Sequence, residues 1–129
     1  MPHFHIEYSA NLEMIVDMGQ LCEVIRAEVA LIETFPMAGI RVRATRVDHF
    51  AMADGNPKHG FIDLSVRLRE GRTDKVKTDA IQQIFEKLKA HATSIMATHS
   101  IALSAEIRDI SAEFSLKYGN IRDNLEDTA

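Results

Sequence analysis

Cysteine, proline and tryptophan are scarce: the chain has one cysteine, three prolines and no tryptophan in 129 residues. A lone Cys22 excludes an internal disulfide framework and fits a reducing cytoplasm. No apolar run approaches the roughly 20 residues needed to cross a bilayer. The terminus MPHFHIEYSA has neither a basic n-region nor an apolar h-region, so it does not read as a signal peptide. No glycine-rich phosphate loop and no GxSxG elbow is present. Basic residues are not in surplus either. Fifteen against 19 acidic ones leave −4, which argues against a nucleic-acid binder. What remains is 46% hydrophobic and 26% charged, the make-up of one soluble globular domain in the cytoplasm, with no membrane partner.

The charge is unevenly placed. Between residues 41 and 72 stand Arg41, Arg43, Arg46, Lys58, Arg67, Arg69 and Arg72 against Asp48, Asp54, Asp63 and Glu70. This quarter holds six of the nine arginines, while the remainder of the chain is strongly acidic. Arginine's planar fork suits carboxylate and phosphate, so the patch points to a small anionic ligand. The plainer reading of any single arginine is a solvated or paired charge on a half-exposed sheet.

Hydrophobic periodicity gives the order β-α-β-β-α-β. Pro2, Phe4, Ile6 and Tyr8 alternate with His3, His5, Glu7 and Ser9, the pattern of a half-buried strand. Asp17 with Gln20 resembles a capping box, and Leu21, Ile25, Val29 and Ile32 continue a helix to about 33, before Pro36. A second strand is expected over about 39–50 and a third over 61–69. The turn-rich Asp54-Gly55-Asn56-Pro57 between them suggests an antiparallel pair. Thr73 caps a long helix with Val76, Ala80, Ile84, Leu88 and Ile95 on its core stripe, and a fourth strand runs over 101–110. Phe114, Leu116, Tyr118 and Ile121 give the tail more apolar residues than a free tail carries, so it is expected to dock on the domain or on a neighbouring subunit.

The domain, 1–129, reads as a duplication. Strands one and two start 38 residues apart and strands three and four 40 apart. The halves fall at about 1–58 and 59–110, followed by the tail at 111–129. Each half is expected to form a parallel, right-handed crossover. A ferredoxin-like domain shares this element order, and periodicity does not separate it from other α+β arrangements.

Several residues could carry chemistry. Removal of Met1 would expose Pro2 as a secondary amine, an acid/base group that no internal proline has. An apolar, cationic setting would lower its pKa towards neutrality, as a general base requires. Without processing, Pro2 is merely a common second residue. Arg72 sits just before the second helix, where backbone N–H groups already favour an anion, and Arg41 follows Ala38-Gly39. His3, His5 and Glu7 share a strand face, but a metal site needs further ligands from a second element, and none is assigned. His91 and His99 read as solvated or capping. Cys22 reads as packing on the first helix, and Met14, Met18, Met37, Met52 and Met96 read as core or interface filler.

MPHF at the terminus, Phe35-Pro36-Met37-Ala38-Gly39-Ile40-Arg41, Met52-Ala53-Asp54-Gly55, Gly71-Arg72 and Leu103-Ser104-Ala105-Glu106-Ile107 resemble the 5-carboxymethyl-2-hydroxymuconate isomerases of the tautomerase superfamily. Glu70-Gly71-Arg72-Thr73-Asp74 is similar to the segment before the helix of the short 4-oxalocrotonate tautomerases, whose monomers are one β-α-β unit. The resemblance implies a duplicated β-α-β tautomerase fold, a four-stranded mixed sheet with two helices on one face, assembled as a homotrimer. It implies an isomerase that moves a proton on an unsaturated 2-hydroxy acid, yielding the 2-oxo-3-ene isomer in homoprotocatechuate breakdown. Pro2 would be the base, and Arg41 and Arg72 would bind a small polycarboxylate substrate. It implies no metal or organic cofactor. A tautomerase of another oxo-acid, or a non-catalytic module binding an anion or a protein, are the alternatives.

Overall fold

The computed structural model describes residues 1–126. It has four strands, β1 (His3–Ser9), β2 (Arg41–Val47), β3 (His59–Arg69) and β4 (Ser100–Ile110), and two helices, α1 (Met18–Val29) and α2 (Asp74–Met96). The strands form one mixed sheet in the order β2-β1-β3-β4. β1 runs parallel to β2, β3 parallel to β4, and the two halves meet through antiparallel β1 and β3.

The expected antiparallel pairing of the second and third strands is therefore wrong. The loop between them is long enough to carry the chain past β1, so β2 becomes an edge and β3 takes the centre. Each helix connects two adjacent parallel strands in this order, and the parallel β1–β2 and β3–β4 pairs remove the ferredoxin-like alternative.

Both helices cover the same sheet face. Phe4, Ile6 and Tyr8 of β1 and Ile62, Leu64, Val66 and Leu68 of β3 are buried beneath Leu21, Ile25 and Val29 of α1 and Ala80, Ile84 and Leu88 of α2. The edge strands contribute Val42 and Ala44 on one side, with Ile40 just before β2, and Ile101, Leu103, Ala105 and Ile107 on the other, all half-buried against that core. Cys22 packs there as well, and burial pushes its thiol pKa up. Among the described residues no helix covers the other sheet face.

Helix caps follow the sequence. Asp17 accepts from the Gln20 N–H at 3.0 Å and Thr73 from the Val76 N–H at 3.2 Å, each satisfying a donor that the helix leaves free. α1 ends at Val29, four residues before the expected stop. From there tight i→i−3 hydrogen bonds at Leu31, Ile32 and Phe35 turn the chain so that Phe35 enters the core against Phe4, ring edge to ring face at 5.1 Å. Val76 is more exposed than its place on the stripe suggested; of the methionines read as core or interface filler, Met18 is buried, and Met14, Met37 and Met96 are exposed on the single chain.

At the far end of the sheet, His59 hydrogen-bonds Ser100 through Nδ1 at 2.7 Å and Asp54 through Nε2 at 2.8 Å. This latch ties the loop before β3 to the start of β4, and it holds the Asp54 carboxyl below its ordinary pKa, after the Asn56 N–H. Among the described residues no helix is long and apolar enough to cross a membrane.

Candidate active site

β1 begins at the opposite end of the sheet from that latch, roughly 26 Å away along β3 at ~3.3 Å per residue. Pro2, just before β1, is fully buried beneath Met1. Its pyrrolidine ring lies against Gly39, in the short 3-10 turn Met37–Gly39 that leads into β2. A β-carbon at Gly39 would come within 2.9 Å of Pro2 Cδ, so the position tolerates no side chain. The Ala38-Gly39 segment is thus a tight turn holding the chain terminus.

An open cleft of about 570 Å³ lies over this terminus. Its walls include Met1, Gly39, Arg41, Lys117, Tyr118 and Arg122, and among the described residues no aspartate or glutamate lines it. The terminal ammonium of Met1 is pushed below its ordinary pKa, first by burial and then by the positive charges of Lys117, Arg72, Arg69 and Arg41. Four cations converge on one terminus.

The two arginines singled out by sequence are placed differently. Arg41, first residue of β2, is opposite His3 in the parallel register and lines the cleft. Arg72 does not line it. Gly71, at φ +115°, swings Arg72 back towards the loop after α1. There Arg72 Nε donates to Thr34 Oγ1, Nη2 to the Thr34 carbonyl and Nη1 to the Arg69 carbonyl, each at 3.1 Å. Three of the five guanidinium N–H groups are thereby engaged. The charge remains close enough to act on the terminus.

The uncovered sheet face is polarised. Strand register sets Arg41, His3, Arg67 and Arg108 in one row and Thr45, Glu7, Asp63 and Ser104 two rows on. The cationic row lies at the terminus. His3 is held at a pKa of about 4 by burial and by Arg67, Arg43 and Arg41, so it is neutral at pH 7. His3 Nδ1 and His5 Nε2 are engaged by Arg43 and Thr45 at 3.2 and 2.9 Å, so these are sheet-surface hydrogen bonds.

Sequence reasoning missed Lys117, Gly39 and Thr34. Lys117 reaches the terminus only because the tail returns over it, and Thr34 meets Arg72 across 38 residues of chain. Neither carries a local signal. Gly39 did carry one: a glycine between a proline turn and a strand marks a close approach.

A mixed sheet in the order β2-β1-β3-β4, two helices on one face and the terminus at its cationic end define a tautomerase fold. A fused 4-OT, solved as a symmetric trimer, shares that fold at a TM-score of 0.62 and 14% identity, over 88% of this chain and 91% of that one. The crystal structure of a 5-carboxymethyl-2-hydroxymuconate delta-isomerase matches at a TM-score of 0.90 and 26% identity, covering 100% of this chain and 95% of that one. The 5-carboxymethyl-2-hydroxymuconate Delta-isomerase of Escherichia coli is 31% identical over 121 residues, 94% of this chain and 96% of its own length. The family model for 5-carboxymethyl-2-hydroxymuconate isomerase matches residues 2–125. The chain belongs to that isomerase family.

Proposed function

We propose that this protein isomerises 5-carboxymethyl-2-hydroxymuconate to its 2-oxo-3-ene isomer, with the Pro2 nitrogen as general base once Met1 is removed. The observation that carries the reading is the chain terminus at the floor of a cationic cleft, with no carboxylate in its lining among the described residues. There the charged form of an amine is disfavoured, so a prolyl nitrogen is free to take the proton of the 2-hydroxyl and return one to the carbon chain. The isomerisation adds and removes no atoms. Arg41 holds a substrate carboxylate directly. Arg72, with two N–H groups left, contributes positive charge that favours the developing dienolate and fixes the loop behind Pro2. No metal or organic cofactor enters the reaction, and nucleic acid is not a partner.

The same reading makes the protein a homotrimer working in the cytoplasm, in homoprotocatechuate breakdown. Phe114, Leu116 and Tyr118 are almost wholly exposed on the single chain, and a neighbouring subunit gives them a surface to dock on. The reaction is tested by an ultraviolet assay of tag-free protein, with mass spectrometry confirming loss of Met1. Loss of the conjugated enol well above the buffer rate is expected. No turnover from processed protein would overturn the reading.

A further inference from the structure

We propose that a second pocket beside the terminus is a carboxylate subsite, in which Arg67 and Arg69 hold the carboxylate of the substrate's carboxymethyl arm. This rests on the isomerase reading and deepens it, by saying what makes the site prefer three carboxylates to two.

The pocket, of about 220 Å³, is lined by Met1, His3, Arg67, Arg69, Ser115 and Lys117, among others. Met1 and Lys117 border it and the main cleft alike. Arg67 faces His3 across the antiparallel β1–β3 pair, and Arg69 lies two residues on, along the same side of β3. Among the described residues no acidic one is in the lining. Elsewhere Arg26, Arg46, Arg108, Lys75, Lys77 and Lys89 each lie within 4.0 Å of a carboxylate. Arg67, Arg69 and Lys117 have no such partner among the described residues. Like charges gathered without a counter-charge raise the energy of the empty site and favour an incoming anion.

His3 adds a neutral donor. Its Nδ1 accepts from Arg43, which leaves the proton on Nε2, free to donate to an anion. Because Met1 borders both spaces, the processing that bares Pro2 also removes the side chain between them. The cleft and the pocket then form one trough with a cation at each end and the prolyl nitrogen between. The relatives' substrate, by its name, carries two muconate carboxylates and a third on the carboxymethyl arm, which such a trough can span.

The test compares 5-carboxymethyl-2-hydroxymuconate with 2-hydroxymuconate, which lacks the arm, on processed wild type, Arg67→Gln and Arg69→Gln. The readout is the ratio of the two kcat/KM values, which cancels any effect common to both substrates. A charged hydrogen bond lost from one substrate alone lowers that ratio about tenfold. An unchanged ratio in both variants overturns the proposal. Wild type inactive on both substrates would count against the isomerase reading alone, and calorimetry with tricarballylate and glutarate then decides the pocket. Tighter binding of tricarballylate, erased by Arg67→Gln, supports it. Equal binding of the two by wild type, or a preference that survives both variants, overturns it.

Discussion

At the residue scale the site depends on very short distances around Pro2. Pro2→Ala exchanges a secondary for a primary amine and should lower kcat at least about 100-fold, the usual weight of a positioned base. Circular dichroism should be unchanged. Gly39→Ala drives a methyl group into the proline ring and should cost about 1–3 kcal/mol by urea denaturation. Lys117→Gln removes the largest of the charges acting on the terminus, so the acid limb of the kcat/KM profile should move to higher pH. His3 titrates in the opposite sense to a stabilised cation. Its pKa falls from 6.5 in the unfolded chain to about 4 in the folded one, so unfolded chains bind more protons in that window. The stability it contributes is complete above pH 6.5 and drains away as the pH falls towards 4. His3→Gln should flatten urea stability across that range. That Pro2 lies at the terminus and Arg41 at the start of β2 was legible, because position along the chain alone suggests it. The grip of Thr34 on Arg72 was not, since only the finished fold brings the two together.

At the element scale, type and order were readable and pairing was not. Alternation over β1 and β3, and the helical stripe from Ala80 to Leu88, fix which faces are buried before any strand finds a neighbour. The turn chemistry of residues 54–57 suggested a hairpin. It serves instead to turn the chain around, while the latch from His59 to Asp54 and Ser100 secures the loop. Turn residues report that a chain reverses, and they carry no information on which strand it then meets. The early end of α1 has a similar cause, because burying Phe35 against Phe4 outweighs the helical pattern that Ile32 continues. Thr73 was read correctly as the cap of α2. Thr73→Ala should lower stability by about 1 kcal/mol in thermal or urea denaturation. It should leave KM nearly unchanged, since the Thr73 hydroxyl is spent on Val76.

At the scale of the whole molecule, one sheet face and an apolar tail are left bare by a single chain. Sedimentation should therefore give a mass of three chains, and deletion of residues 113–129 should shift it to lower mass with the α/β circular dichroism retained. The strand register also bears on how many reaction centres a chain can have. In the parallel pair β1–β2, His3 stands opposite Arg41; in the parallel pair β3–β4, His59 stands opposite Ser100. The place that corresponds to Pro2 is then Lys58, whose nitrogen is locked in a peptide bond, and the place that corresponds to Arg41 holds a serine. A polypeptide has a single amino end, so with Pro2 as the proposed base the second β-α-β unit has no counterpart to it. The expected outcome is one equivalent per chain of an inactivator aimed at the terminal proline, read by mass spectrometry of the labelled protein.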